Sequence, residues 1–94
     1  MLDEPLSPLR AKQLMGQILA SGRVVPSRHA LDELAKDDMD MQDVINVVRG
    51  GAVDPADLVD GTWRYRVRTQ RMAVVVAFRS ETEMRIVTAW RYKR

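Results

Sequence analysis

Apolar residues recur at helical spacing as far as Gly50-Gly51 and at alternate positions beyond it. A chain that changes period once, near mid-length, segregates its helices from its strands. That order predicts an α+β domain, with N-terminal helices packed on one face of a three- to four-stranded antiparallel sheet. Ninety-four residues make a single domain, 1–94. Residues 1–6 read as a flexible tail.

Three helices are marked by their ends. Ser7-Pro8 places a capping hydroxyl before a proline at the first helical position, and Gly22 closes a stretch carrying Ala11, Leu14, Met15, Ile18 and Leu19 at helical spacing. Val24-Val25-Pro26 is a short extended connector, because Pro26 turns Val25 away from helix. Ser27 caps a second helix over about 28–37, whose apolar stripe is Ala30, Leu31, Leu34 and Ala35. Asp40 caps a third, with Met41, Val44, Ile45 and Val48 on one face, ending at Gly50-Gly51.

Beyond it, Ala52-Val53 and Leu58-Val59 flank Asp54-Pro55 as a short, irregular edge strand, and Asp60-Gly61 signals a tight turn. Three strands follow, Thr62–Thr69, Arg71–Arg79 and Met84–Tyr92, with links short enough to force hairpins. In the first, Trp63, Tyr65 and Val67 oppose Arg64, Arg66 and Arg68. In the last, Met84, Ile86, Thr88 and Trp90 alternate with Arg85, Val87, Ala89 and Arg91. Continuous alternation puts Tyr65 and Trp90 on the core side.

Charge is distributed as unevenly as hydrophobicity. Residues 1–60 hold six Lys/Arg against eleven Asp/Glu, and residues 61–94 hold nine against two. A basic sheet half suggests an anionic partner. The arginine row Arg64, Arg66, Arg68, extended by Arg79, Arg85 and Arg91, places like charges about 7 Å apart along a strand. A phosphate backbone fits such a face. An edge strand charged against aggregation would carry the same pattern. Tyr65, Trp90 and Tyr92 are aromatics that can stack on bases where they reach the surface, although alternation favours the core for Tyr65 and Trp90. RNA is therefore the expected partner, with Arg64, Arg68, Arg79, Arg91 and Tyr92 as binding residues.

Several classes of chemistry are absent from the sequence. With no cysteine and one histidine, thiolate zinc, disulfides and histidine-rich metal sites are excluded. No phosphate loop or nucleophile elbow occurs. Asp37-Asp38-Met39-Asp40 reads as a solvated turn and not a cation loop. Neither metal nor cofactor is expected. No apolar run approaches the length of a membrane span, and the acidic N-terminus lacks the order of a signal peptide, so a cytoplasmic protein without membrane contact is expected.

His29 lies nearly opposite the Leu31/Leu34 stripe and beside Arg28. An imidazole and several guanidiniums are the groups of metal-free ribonuclease cleavage. A base takes the 2′-hydroxyl proton, and cations stabilise the charge that develops on phosphate.

The sequence Ser27-Arg28-His29-Ala30-Leu31-Asp32-Glu33-Leu34 resembles the "S-x-H-A-x-x-x-[ML]" opening of the DUF4258 family of small bacterial proteins. Asp43-Val44-Ile45-Asn46-Val47-Val48-Arg49-Gly50-Gly51 is similar to that family's next motif. Tyr65-Arg66-Val67, Ala73-Val74-Val75-Val76 and Ile86-Val87-Thr88-Ala89-Trp90-Arg91 resemble its strands. The resemblance covers about residues 23–92. It implies a RelE-like fold, kinship with MqsR-type toxins that cleave messenger RNA, and an antitoxin partner. It carries over His29, Arg66 and Thr88 as catalytic positions, with Arg28 as a local addition. The link around Gln70 is shorter than the family's usual "G-x-x-x-x-G" stretch, and the first helix lies outside the matched region. The expectation is a metal-independent endoribonuclease of a toxin–antitoxin system, acting on RNA, including ribosome-associated mRNA. The alternative is a non-catalytic nucleic-acid- or protein-binding module of the same fold.

Overall fold

All three helices start at a side-chain cap. The Ser7 hydroxyl accepts from Arg10 N at the head of α1 (Pro8–Ser21), and Ser27 accepts from Ala30 N at the head of α2 (Arg28–Lys36). α3 (Met41–Gly50) opens with a reciprocal box. Asp40 accepts from Asp43 N, and the Asp43 carboxylate accepts from Asp40 N, both at 3.0 Å. Such caps contribute about 1 kcal/mol each. The computed structural model describes residues 2–92.

The sheet has six strands, more than the three to four expected, and it is mixed. Its strands are β1 (Arg23–Pro26), β2 (Ala52–Val53), β3 (Asp57–Val59), β4 (Thr62–Arg68), β5 (Met72–Phe78) and β6 (Glu83–Arg91). The order is β1-β6-β5-β4-β2, and β3 pairs with β4 beyond β2. β2 and β3 are the two halves of the irregular edge strand anticipated around Asp54-Pro55. Asp60 and Gly61 take φ of 50° and 79° between Val59 and Thr62, the left-handed pair that a two-residue hairpin requires.

The connector at Val24–Pro26 is itself a strand. β1 lies parallel to β6, with Val24 opposite Met84 and Pro26 opposite Ile86. A proline is tolerated there because β1 is an edge.

A second departure changes which face the last strand presents. Val75 pairs with Thr88, but Val76 pairs with Ile86, so Val87 is an extra residue in β6. This β-bulge reverses the alternation. Met84 and Ile86 point to the core before it, and Ala89 after it, all fully buried. Thr88 and Trp90 consequently pass to the opposite face. Tyr65 is buried as expected, whereas Trp90 is not in the core. The bulge is held from outside the β5–β6 ladder. Ser27 N donates to Ile86 O, and the Ser27 hydroxyl donates to Val87 O at 2.9 Å while it caps α2.

The core lies between the helices and the sheet. Ala11, Met15 and Ile18 of α1, Ala30 and Leu34 of α2, and Val44, Val47 and Val48 of α3 pack on Tyr65, Val67, Val74, Val76 and Phe78. The Tyr65 and Phe78 rings meet at 5.1 Å between centroids, tilted by 56°. Leu31, expected in the α2 stripe, is 47% exposed, since only Ala30 and Leu34 reach the sheet from this short helix.

The expected N-terminal tail is docked over residues 2–6. Leu2 and Leu6 pack against the core, Leu6 N donates to the Tyr65 hydroxyl at 2.9 Å, and that hydroxyl donates to Glu4 at 2.8 Å. Lys12 of α1 donates to the carbonyls of Val48, Arg49 and Gly51, satisfying the C-terminus of α3. No helix among the described residues is long and apolar enough to cross a membrane.

Candidate nucleic-acid interface

The sheet face opposite the helices holds a groove of about 280 Å³. Its floor is Val75 in the central strand. Thr88 and Trp90 of β6 form one side, and Arg64 and Arg66 of β4 the other. The rim beyond β4 is made by Asp54, Pro55, Asp57 and Val59. The Val87 bulge is what brings a hydroxyl and an indole into a surface otherwise built from arginines and small apolar residues.

The arginine row is not bare. Arg66 lies opposite Asp54, whose backbone N–H donates to Arg66 O, and Asp57 lies opposite Arg64. Arg66 Nε donates to Asp54 Oδ2 at 2.8 Å, and Arg68 Nε donates to Asp54 Oδ1 at 3.0 Å. The Arg66 guanidinium hydrogen-bonded to it holds the Asp54 carboxyl below its ordinary range, with Arg68 adding to the effect; burial acts the other way and is outweighed. The signs that do not alternate along β4 alternate across its ladder, which is how three cations can share one strand face.

Arg64 differs from its neighbours. It is half-buried, and its Nε is enclosed without a hydrogen-bond partner. Asp57 takes no part in the ion pairs of this edge, which join Asp54 to Arg66 and Arg68. The groove therefore presents an unsatisfied buried donor and an exposed carboxylate on adjacent strands.

Residues 27–91 match a family model described as a domain of unknown function, DUF4258. The chain belongs to the DUF4258 family. The match runs from the Ser27 that braces the bulge to the last residue of β6, so it encloses the whole groove and leaves out α1 and β1. Neither the curated proteins nor the solved structures gave a match to the chain.

Of the positions that the DUF4258 motifs brought forward, the structure joins Arg66 and Thr88 in one groove, together with Arg64. His29 is exposed on the first turn of α2 and does not line the groove. Arg28, also on α2, points to solvent, 3.9 Å from Asp32. Arg68 stands beside the groove, tied to Asp54. Arg79 lies at the β5–β6 turn, 3.7 Å from Glu83. Arg91, the last residue of β6, is tied to the α2–α3 turn, its backbone N–H donating to Asp37 and its guanidinium to the Asp38 carbonyl. Tyr92 is 40% exposed just past β6. The row predicted from alternation thus divides. Arg64, Arg66 and Arg68 share one surface with the exposed Arg85, opposite Ala77, while Arg79 and Arg91 are tied to separate turns.

Asp54 and Asp57 of the DUF4258 groove escaped the sequence reading, and Trp90 stands on the face that alternation disfavoured for it. Alternation favours the core for Trp90 because it is counted through Val87. Asp54 was read only as part of an irregular edge, although placing that edge beside β4 sets its carboxylate opposite Arg66. A larger hollow, about 460 Å³, lies where Leu2 and Glu4 meet Phe78 and the β5–β6 turn. It is lined by Glu4 and Glu81 with Arg79 as the single cation, a balance unsuited to an anion.

Proposed function

We propose that this groove binds single-stranded RNA, with a base stacked on Trp90 and the adjoining backbone running along the arginines of β4. The observation that carries the reading is the Val87 bulge, which turns an indole onto the one face where three arginines converge. Stacking platforms edged by cations are the general solution for unpaired nucleic acid. A groove one side chain deep takes a splayed-out base more readily than the edge of a stacked pair. RNA is preferred over DNA because of the likeness of the family to messenger-RNA-cleaving toxins of RelE-like fold. In that setting an antitoxin would act by covering the groove, and the cell compartment would be the cytoplasm.

Fluorescence anisotropy with a labelled RNA oligonucleotide tests the proposal. Trp90 is absent from the packed core, so Trp90→Ala should unfold at nearly the wild-type temperature yet bind at least about tenfold more weakly. Wild-type affinity should fall with salt. Binding that is insensitive to both Trp90→Ala and Arg64→Ala removes the groove from consideration.

A second reading, metal-independent cleavage, draws on one further observation. Ser27 fastens the head of α2 to Val87, the residue next to Thr88, and His29 follows two positions later. RNA leaving the groove over β6 would pass the head of α2, where His29 could act as base on a nucleotide outside the groove. Purified protein incubated with RNA and a chelator should then yield cleaved product, and His29→Ala should abolish it while binding persists. Unchanged cleavage by His29→Ala would reject the imidazole as base.

A further inference from the structure

The lining of the groove is electrically balanced, with Arg64 and Arg66 set against Asp54 and Asp57. A phosphate placed inside would meet the exposed Asp57 carboxylate. A nucleobase carries no net charge and offers donors and acceptors on its edges. The interior is therefore suited to a base, and the phosphates belong outside, along Arg68 and the exposed Arg85.

Asp57 and Arg64, opposite each other across β3 and β4, narrow the base further. The Asp57 carboxylate can accept two N–H bonds side by side. Among the four RNA bases, guanine alone presents two adjacent donors on one edge, N1–H and the 2-amino group. Adenine and cytosine offer one amine, and uracil one imide. Arg64 lines the groove from β4, and arginine donating to guanine O6 and N7 is the commonest specific base contact. Trp90 pairs with Ala73 and so stands level with Arg68, whereas Arg64 lies four residues away along β4, opposite Asp57, towards the other end of the groove. A base held at Arg64 and Asp57 is therefore a different base from the one stacked on Trp90, and the groove takes the two at its opposite ends.

From this arrangement we infer that the groove is a guanine pocket, selecting an unpaired guanine in RNA through Asp57 and Arg64. The inference rests on the reading of the groove as an RNA site. It adds a residue, Asp57, whose negative charge would have no place in a phosphate clamp.

The test uses the full chain and uridine hexamers bearing one central guanosine, inosine, adenosine or cytidine, beside the all-uridine hexamer. All carry 2′-fluoro sugars, so that any cleavage through the 2′-hydroxyl is blocked. The guanosine hexamer should bind about tenfold or more tightly than the adenosine, cytidine and uridine hexamers. Inosine, which lacks the 2-amino donor, should fall between. Asp57 is exposed, so Asp57→Asn should remain folded, lose most of the guanine preference, and bind the all-uridine hexamer no more weakly than wild type does. Equal affinity for all five hexamers, with weakening by Trp90→Ala retained, overturns the guanine pocket and leaves RNA binding standing. Full guanine preference in Asp57→Asn also overturns it. Absence of binding to every hexamer overturns RNA binding and the guanine pocket together.

Discussion

Replacing Asp54 by asparagine should make the protein bind RNA more tightly and more salt-dependently. Three arginines, Arg64, Arg66 and Arg68, face two carboxylates, Asp54 and Asp57, on this surface. The balance along β4 is thus one positive charge, which the substitution doubles; Arg85, opposite Ala77 on the same face, adds one more to both proteins. Asparagine keeps an oxygen that can accept from one of the two guanidiniums, so the edge strand stays paired while one arginine is released. If the released arginine meets one more phosphate, the slope of log affinity against log salt steepens by about 0.7 for a single strand. Raising salt from about 50 to 200 mM should then cost the variant roughly 2.5-fold more affinity than it costs wild type. Anisotropy titrations of one oligonucleotide at four or five salt concentrations measure this directly. The difference should not vary with pH above about 4, because the arginines depress the Asp54 pKa below its ordinary 3.8 and keep the carboxylate ionised. For the same reason the ion pairs stabilise the fold above that range, and their contribution is lost only as pH falls through the depressed value. Weaker binding by Asp54→Asn, with an unchanged slope, would refute the reasoning. It would mean that Asp54 aims Arg66 and Arg68 at their ligand and does not compete for them.

Two further predictions concern the scaffold. A Cβ on Gly51 would stand 2.7 Å from Val47 O and 2.8 Å from Arg68 O, both backbone atoms, so Gly51→Ala should lower stability by about 2–3 kcal/mol in urea denaturation; a loss below about 0.5 kcal/mol would show that β2 shifts freely. Burial, opposed by the hydrogen bond from Leu6 N and aided by the Glu4 carboxylate, pushes the Tyr65 phenol up to about 12. A raised phenol pKa stabilises the fold fully below the unfolded value near 10 and is lost as pH rises towards 12. Wild type should therefore lose stability relative to Tyr65→Phe across that interval, and parallel curves for the two proteins would contradict the buried phenol.

Local signals served the helices and hairpins well because they act locally. Ser7, Ser27, Asp40 and Asp60-Gly61 each do in the structure what their neighbours in sequence imply. What escaped was decided by partners far along the chain. Val24–Pro26 becomes a strand only because β6 lies beside it, some 60 residues on. Leu2 and Leu6 are fastened by Tyr65. The bulge left no mark in the alternation, since Val87 and Ala89 are both apolar and Thr88 suits either face. The candidate site was legible as a set of arginines on one strand but not as a surface, because its other half depended on that bulge.

The bulge also gives Ser27 a role that a capping residue alone would not have. If Ser27 only capped α2, aspartate or asparagine would serve about as well. The hydroxyl, however, accepts from Ala30 N and donates to Val87 O at once, both at 2.9 Å. A carboxylate can accept but has no proton to donate, and beside the Val87 carbonyl it would repel. Ser27→Asp should therefore retain the cap and lose the brace, whereas Ser27→Thr keeps both functions. In Ser27→Asp the extra residue of β6 has less reason to stay at Val87, and Trp90 loses its fixed place over the groove. The expected result is weakened RNA binding with α2 still helical by circular dichroism. If Ser27→Asp binds as wild type does, the bulge is a property of β6 itself, and α2 does not control the site.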